Sequence, residues 1–486
     1  MNSQIRIVAM VILGLFGALF INLSWIQLVD AEKLANNPAN TRLLLKEYSL
    51  ARGAIRTSDG KTVAMSEETP AEALKFLRKY PEGPLFSHAV GFYSVRYQRA
   101  GLEQSHNKEL TGSGGVVTMQ DLGDKLLGKG EQGDNLVLSI DSRVQQAASD
   151  ALGARKGAIV ALDPLNGQIL ALVSKPDFDP NPISQHSSEG QQQAWDGLNK
   201  NPDRPLNNRA ATETYPPGST FKLITAAAAL ENGVSPDTSF PPADGYKAPQ
   251  TDRVIGNFGD STCGGNMADA LRVSCNAYFA RLGAELPRGA LEKTAKAFGF
   301  TEKPPLDSRA VASRLPDSSQ LKSPAFAALT SIGQLSVSAT PLQMALVAAG
   351  IGNSGKVPVP QFVKQVEDAR GGIVETASAE IWKEAVSPEN AETIKQMMIG
   401  VVEGGSGRGA AIPGIKVAGK TGTAQAGASG QNTLAWFVAV APADAPRIAI
   451  AVVVEGPGEG STETGGKLAA PMAKSVLQAH RSAAGW

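Results

Sequence analysis

A serine and a lysine three positions apart form the first candidate for chemistry in the chain. Ser219 and Lys222 open an alanine-rich segment that follows two prolines and a glycine and ends at Asn232-Gly233. This pattern predicts a helix with a glycine cap and with Ser219 in its first turn. Both side chains then project from one face, where partial positive charge at the helix start favours a serine alkoxide. Lys222 can act as the base for Ser219 only when its amine is neutral.

The serine–lysine pair alone also has a plain structural interpretation. A chain of this length contains about two Ser-x-x-Lys sequences by chance. In that interpretation Ser219 is a helix cap and Lys222 is a solvated helix residue.

Two further motifs follow in a fixed order. Ser274-Cys275-Asn276 interrupts a helical pattern that runs from Met267 to Leu282, and Lys420-Thr421-Gly422-Thr423 lies on a predicted strand near the C-terminus. Each has a structural alternative, since serine and asparagine form turns. Together, in this order, the three motifs match those of the penicillin-recognising serine enzymes.

Composition excludes several other classes of protein. The 486 residues contain 46 basic and 46 acidic side chains, so the net charge of zero argues against nucleic-acid binding. Two cysteines and four histidines are too few for a zinc finger, an iron–sulfur protein or a disulfide-dense scaffold. We expect no metal site and no cofactor.

The N-terminus predicts a membrane helix. Residues 7–29 carry no charge and are long enough to span a hydrocarbon core of roughly 30 Å. Arg6 precedes them, which favours a cytoplasmic N-terminus, and Trp25 lies where an interfacial aromatic belt would place it. The alternative is a cleaved signal peptide with its cleavage site at Val29-Asp30-Ala31. In either case the rest of the chain lies outside the cytoplasm.

The remaining elements predict a multidomain α+β protein. We divide the chain into the membrane anchor at 1–29, a small β-containing module at 30–133 and a large C-terminal domain at 134–486. Strands at both ends of the large domain, with helices between them, predict an antiparallel sheet packed by helices. The predicted elements are a helix over 34–48, a linker over 128–133, a strand over 135–140, a helix over 143–152, a hairpin of 157–162 with 168–174, strands over 435–440 and 448–455, and a last helix from about residue 469.

The chain as a whole resembles the class B penicillin-binding proteins, the single-pass transpeptidases, and within them the penicillin-binding protein A branch of actinobacteria. One departure is the turn Thr57-Ser58-Asp59-Gly60, where the family often has Asp-Arg-Asn-Gly. Beyond the three motifs, the resemblance rests on Gly101-Leu102-Glu103, Leu136-Val137-Leu138-Ser139-Ile140-Asp141, Asn208-Arg209, Ile332-Gly333-Gln334, Thr340-Pro341-Leu342-Gln343-Met344, Gly465-Gly466 and Ala469-Ala470-Pro471.

The resemblance implies a role for each motif residue. Ser219 would attack the penultimate D-alanine carbonyl of a wall-peptide stem, with Lys222 as the general base. Ser274 would relay the proton, and Asn276 would bind the substrate amide. Lys420 would keep Lys222 neutral and orient Ser274.

The resemblance also implies how the substrate is held. Thr421 and Thr423 would bind the terminal carboxylate, and Gly422 would let the substrate lie against the strand. The backbone N–H groups of Ser219 and Thr423 would form the oxyanion hole.

Peptidoglycan stem peptides, β-lactam antibiotics and a membrane-embedded glycan-polymerising glycosyltransferase are the partners that this resemblance implies. The alternatives are a carboxypeptidase or β-lactamase, and a non-catalytic scaffold or β-lactam sensor. A class A β-lactamase would carry Glu-x-x-Leu-Asn between Asn276 and Lys420, and the sequence has none there. A scaffold would be free to lose Lys222 or Lys420.

The two cysteines lie close together in sequence. Cys275 is the middle residue of the second motif, and Cys263 precedes it by one short loop. Outside the cytoplasm a disulfide is permitted, and it would restrain the second motif. Two free thiols are the alternative.

Overall fold

The computed structural model describes residues 2–30, 47–71, 74–112, 132–249, 251–252, 254–426, 432–456 and 464–486. The predicted helix over 34–48 and the predicted linker over 128–133 lie outside these ranges, except for their last two residues.

The N-terminal segment forms one apolar helix, Asn2–Leu28. It begins five residues before the uncharged segment and includes Arg6 in its first turns. It is long and apolar enough to cross a membrane, and no part of its span packs inside the protein.

The large domain is built on a five-stranded antiparallel sheet. The sheet confirms the predicted hairpin and the two predicted C-terminal strands, and its edge strand carries Lys420-Thr421-Gly422. Its strands, from one edge to the other, are Ala418–Ala426, Asn432–Ala441, Ile448–Glu455, Gly157–Leu162 and Ile169–Lys175.

Helices cover both faces of this sheet. Helices Ser142–Leu152 and Ala470–Ala484 pack on one face, and helix Pro341–Gly352 packs on the other. The central strand Ile448–Glu455 is therefore buried on both sides. This double burial explains why the sequence shows apolar runs there and not an alternation with polar residues.

A second sheet joins the N-terminal module to the large domain. The strand predicted from residue 135 forms over Asn135–Leu138 and pairs in parallel with Ile55–Arg56 on one side. On its other side it pairs with Val363–Glu367, so the two domains share this sheet. Its six strands, in order, are Ile373–Thr376, Val363–Glu367, Asn135–Leu138, Ile55–Arg56, Thr62–Glu68 and Phe76–Lys79.

Further helices and strands lie outside these two sheets and the helices named above. The other α-helices are Ser87–Val90, Leu102–Ser105, Asn107–Leu110, Asn181–Ser184, Ser188–Lys200, Lys222–Glu231, Met267–Val273, Asn276–Glu285, Ala290–Ala297, Ser318–Leu321, Pro324–Ser331 and Pro388–Gly404. The other strands are Phe92–Ser94, Gln98–Ala100, Phe240–Ala243, Gly245–Lys247, Val254–Gly256, Cys263–Gly265, Lys356–Pro358 and Ile381–Glu384.

The turn that departs from the family pattern docks the module onto the large domain. Asp59 Oδ1 accepts the Ser142 N–H at 2.9 Å, and Asp59 Oδ2 accepts the Ser142 hydroxyl at 2.6 Å. The Ser58 N–H donates to Ile140 O at 2.9 Å. Ser142 begins the helix that packs on the five-stranded sheet, so this turn fixes the module relative to that sheet.

A buried ion cluster stabilises the module. Glu103 accepts from Arg52 Nε at 2.5 Å and from Arg78 Nε at 2.7 Å, and all three side chains are buried. Burial raises the pKa of the Glu103 carboxyl, but Arg78 and Arg52 outweigh burial and hold that pKa below its ordinary value. Removing the carboxylate would leave two buried guanidinium groups without a counter-charge.

We expect the Glu103→Ala substitution to lower the free energy of unfolding by about 3–5 kcal/mol, because it leaves buried charges uncompensated. Denaturant unfolding of the full chain in detergent measures this change. The control is Glu67→Ala, which removes an exposed partner 3.9 Å from Lys79 and should cost less than about 1 kcal/mol. Equal unfolding midpoints for the two variants would contradict the prediction.

Candidate active site

The helix predicted after the first motif is present, but a 3₁₀ turn precedes its α-helical part. Gly218–Phe221 is a single 3₁₀ turn, and the α-helix runs over Lys222–Glu231. The helix ends at Asn232, and Gly233 adopts a positive φ of 77°. Ser219 therefore lies in the turn before the helix, and Lys222 is the first α-helical residue.

Two residues distant in sequence fix the serine turn. The Gly218 N–H donates to Gly333 O at 3.1 Å, and a Cβ on Gly333 would lie 2.1 Å from Gly218 O. Trp436 Nε1 donates to Pro216 O at 3.0 Å from the neighbouring strand. Sequence reasoning found Gly333 only through the family resemblance and missed Trp436, because no local pattern links either residue to the serine.

The second motif lies between two helices, as predicted. Ser274 follows helix Met267–Val273 in the left-handed conformation, with φ 63° and ψ 40°, and helix Asn276–Glu285 begins two residues later. This break turns the Ser274 and Asn276 side chains toward Lys222.

Asn257, which the sequence analysis missed, supports the second motif from the preceding loop. Its Oδ1 accepts the Ala277 N–H at 2.9 Å, while Asn276 Nδ2 donates to Gly256 O at 2.9 Å. Cys263 and Cys275 form a disulfide in the structure, with their Cα atoms 5.8 Å apart. The loop and the motif are thus held together by hydrogen bonds and by a covalent link.

The two motif lysines meet at Ser274. Lys222 Nζ donates to Ser274 O at 2.6 Å and to Asn276 Oδ1 at 2.7 Å, and it lies 3.4 Å from Ser274 Oγ. Lys420 Nζ donates to Ser274 Oγ at 2.8 Å and to Thr421 O at 2.9 Å. Both lysines are completely buried.

Burial changes the protonation of both amines. It lowers the pKa of Lys222 well below its ordinary value, and the positive charge of Lys420 lowers that pKa further. Burial lowers the pKa of Lys420 to about 7. Burial and a neighbouring positive charge thus both favour the neutral form of Lys222, whereas burial alone acts on Lys420.

A neutral Lys222 amine has a defined orientation. Ser274 O and Asn276 Oδ1 can only accept hydrogen bonds. The neutral amine therefore donates its two N–H hydrogens to these two oxygens. The nitrogen lone pair is then left for a hydroxyl proton. This geometry suits a general base.

Ser219 is half-buried beside these groups and lines the cleft. Among the described residues its hydroxyl has no hydrogen-bond partner. The hydrogen bond between a catalytic serine and its base often tightens only when substrate binds.

The motifs surround an open cleft of ≈ 520 Å³. None of the described residues that line it is charged. They are Ser219, Gly256, Asn257, Phe258, Val273, Ser274, Asn276, Ile332, Gln334, Ser406, Thr421, Thr423, Ala424, Thr433, Thr464 and Gly466. The cleft therefore offers mainly hydroxyl and amide groups to a ligand, with the lysines buried behind them.

Packing inside the protein is a further reason why residue 422 is a glycine. A Cβ at Gly422 would lie 2.9 Å from Thr220 Cγ2, 3.0 Å from Pro217 O and 3.0 Å from Trp436 Cβ. The glycine thus lets the strand pack against the serine turn. Close packing of the protein itself excludes a side chain at this position.

The comparisons with known proteins agree with this geometry. The family described as penicillin binding protein transpeptidase domain matches residues 157–478, and the penicillin binding protein A dimerisation domain matches residues 52–136. The chain belongs to the class B penicillin-binding proteins. Its enzymatic class is that of a serine-type D,D-transpeptidase, and it contains the dimerisation domain of the family as well as the transpeptidase domain.

Similar proteins match over almost the whole chain. The peptidoglycan D,D-transpeptidases PbpA of Mycobacterium tuberculosis and Mycolicibacterium smegmatis are each 38% identical to it over 99% of both chains. The structure of penicillin-binding protein A from M. tuberculosis as a ceftriaxone acyl-enzyme matches with a TM-score of 0.84 and 38% identity, over 90% of this chain and 99% of that one. Its penicillin G acyl-enzyme matches with a TM-score of 0.82 and 37% identity, over 89% of this chain and 99% of that one.

We expect acylation of this cleft to show a bell-shaped pH profile. The rate should rise with pH as Lys222 loses its proton, and it should fall above a pH of about 7 as Lys420 loses its own. In the Lys420→Arg variant the falling limb should move above about pH 9, because arginine stays charged. Stopped-flow acylation by a chromogenic β-lactam measures both limbs.

The control for this profile is Lys416→Arg. The Lys416 side chain is more than half exposed and lies just before the strand that carries Lys420. The substitution should leave both limbs unchanged. A falling limb with the same midpoint in wild type and Lys420→Arg would show that Lys420 does not control it.

Proposed function

We propose that the chain cross-links peptidoglycan stem peptides through an acyl-enzyme on Ser219. The observation that carries this proposal is the pair of buried lysines joined through Ser274 at the floor of the cleft that Ser219 lines. A neutral amine with a free lone pair beside a serine is one arrangement that activates the serine for acyl transfer.

In the first half-reaction Ser219 Oγ attacks the penultimate D-alanine carbonyl, and Lys222 Nζ takes the hydroxyl proton. Ser274, 3.4 Å from Lys222 Nζ, relays that proton to the departing D-alanine nitrogen. Lys420 donates to Ser274 Oγ, which orients the Ser274 hydroxyl and keeps Lys222 unprotonated. The C–N bond breaks, and a Ser219 ester forms.

The remaining motif residues bind the donor stem. The Thr421 and Thr423 hydroxyls bind the terminal carboxylate, and Asn276 binds the substrate amide in addition to Lys222. The backbone N–H groups of Ser219 and Thr423 stabilise the tetrahedral oxyanion, at about 3–4 kcal/mol per donor. A Cβ on Gly218 would lie 2.8 Å from Thr423 O. The serine turn and the strand that carries Thr423 are therefore close enough for both N–H groups to bind one oxyanion.

In the second half-reaction an amine of a neighbouring stem attacks the ester, and Ser219 leaves with the proton returned through Lys222. A β-lactam resembles the D-Ala-D-Ala end and acylates Ser219 in the same way, but its ester is not easily released. The comparison protein from M. tuberculosis forms such acyl-enzymes with ceftriaxone, imipenem and penicillin G.

Incubation with benzylpenicillin should produce one covalent adduct on the full chain that persists for hours. Ser219→Ala should form none, because it lacks the nucleophile. Intact-mass spectrometry measures the adduct, and thermal unfolding shows that the variant is folded. An adduct that disappears within seconds would favour a hydrolase, and no adduct on folded wild type would favour the scaffold.

We also propose that the helix Asn2–Leu28 anchors the chain with its N-terminus in the cytoplasm and the rest outside. Arg6 near the first end of the helix supports this orientation. A peptidoglycan substrate outside the cytoplasm requires it as well.

Protease added to sealed, right-side-out vesicles should therefore remove a C-terminal tag and leave an N-terminal tag intact. Immunoblotting of both tags measures this protection, and detergent-opened vesicles serve as the control. Loss of the N-terminal tag alone would show the opposite orientation.

A membrane-embedded glycosyltransferase that polymerises the glycan is the partner that we propose for the N-terminal module. Family resemblance supports this proposal, and so does the position of the dimerisation domain at residues 52–136, between the membrane helix and the transpeptidase domain. The module would then bring the cross-linking site to newly made glycan.

A further inference from the structure

Ser406 lies in the cleft outside all three motifs. It belongs to the glycine-rich loop that follows helix Pro388–Gly404, and it is half-buried. Its Oγ lies 2.6 Å from Thr421 Oγ1, and both residues line the cleft. The mechanism proposed above gives this hydroxyl no role.

Two neighbouring elements hold the backbone around Ser406. Its N–H donates to Arg272 O at 3.1 Å, two residues before Ser274. A Cβ on Gly405 would lie 2.2 Å from the same Arg272 oxygen, and a Cβ on Gly466 would lie 2.3 Å from Ser406 O. The loop therefore contacts helix Met267–Val273 and the Gly466 turn at distances that only glycine allows, and these contacts fix the Ser406 backbone beside Thr421.

The hydroxyl pair has two possible hydrogen arrangements, and a bound carboxylate selects one of them. Each hydroxyl has one hydrogen to donate, whereas a carboxylate only accepts. If Thr421 donates to Ser406, Thr421 presents only lone pairs to the carboxylate, which repels them. If Ser406 donates to Thr421 Oγ1, the Thr421 hydrogen is free for the carboxylate.

The uncharged lining of the cleft makes this orientation important. No charged side chain lines the described cleft, so the terminal carboxylate is bound by hydroxyl hydrogens with Lys420 buried behind them. Lys420 donates to the Thr421 carbonyl and to Ser274, and in neither contact does it orient the Thr421 hydroxyl. Ser406 is the residue that contacts this hydroxyl directly.

We infer that Ser406 is a positioning residue for carboxylate recognition. It donates its hydrogen to Thr421 Oγ1, so that the Thr421 hydrogen points to the terminal carboxylate of the donor stem or of a β-lactam. This inference rests on the proposed function, because it deepens the role given there to Thr421.

Acylation by benzylpenicillin and by its methyl ester tests the inference, because the ester has no carboxylate. For Ser406→Ala we expect the second-order acylation rate constant to fall about tenfold with the acid, as for loss of a hydrogen bond to a charged group. With the ester it should change less than about twofold. Ser406→Thr keeps the hydroxyl and should restore most of the rate with the acid.

A double-mutant cycle with Thr421→Val separates positioning from direct binding. If Ser406 acts through Thr421, the Ser406→Ala/Thr421→Val variant should be no slower with the acid than Thr421→Val alone. Additive losses would show that Ser406 binds the carboxylate by itself and would overturn the inference. An equal loss with acid and ester in Ser406→Ala would overturn it as well.

Two further variants complete the design. Ser475→Ala removes an exposed hydroxyl that donates to Pro471 O on the last helix, and it should leave both rate constants unchanged. If Ser406→Ala does not fold, Ser406→Cys replaces it, since the thiol keeps the size but donates weakly and should slow acylation by the acid selectively.

The same experiment distinguishes failure of this inference from failure of the proposed function. If wild type is acylated on Ser219 much faster by the acid than by the ester, the proposed function stands whatever Ser406→Ala does. If wild type is not acylated at all, the proposed function fails first.

Discussion

The buried contact of two lysines with one serine hydroxyl is the constraint on which the rest of the site depends. Unit charges roughly 5 Å apart repel each other by about 3 kcal/mol at an effective dielectric of about 20, and burial disfavours each charge further. Lys222 and Lys420 both lie within 3.4 Å of Ser274 Oγ, so burial and the charge of Lys420 together lower the pKa of Lys222 well below its ordinary value. The fold thereby produces a neutral amine beside Ser219 without a histidine.

Keeping this pair together requires close packing between elements that are distant in sequence. Glycines at 333 and 422 let the serine turn contact the rest of the site at distances that a Cβ would prevent. Asn257 and Trp436 add hydrogen bonds from a loop and from a strand. The catalytic groups are thus held by closely packed backbone and by hydrogen bonds from two supporting side chains.

The N-terminal module is joined to the transpeptidase domain by more than a linker. Strand Asn135–Leu138 pairs with strands of both domains, and Asp59 binds the first residue of a helix that covers the five-stranded sheet. A partner that contacts the module would therefore be connected to the active-site sheet through hydrogen-bonded structure. This arrangement would suit the partner proposed above for the module.

The sequence by itself determined the local secondary-structure elements and the candidate catalytic residues. Apolar runs and caps predicted the strands of the five-stranded sheet, the helix after Ser219 and the break at Ser274, because these features depend on neighbouring residues. The order of the three motifs identified Ser219, Lys222, Ser274, Asn276 and Lys420 as one set through the resemblance to a family.

Only the tertiary structure decided how these groups act together. The burial of both lysines, the contact of each with Ser274, and the supporting roles of Asn257, Trp436 and Ser406 depend on distances between residues far apart in the chain. The strand at residue 135 pairs with strands of both domains, whereas the sequence placed it in the C-terminal domain alone. No local pattern encodes such pairings, because they arise from packing of whole elements.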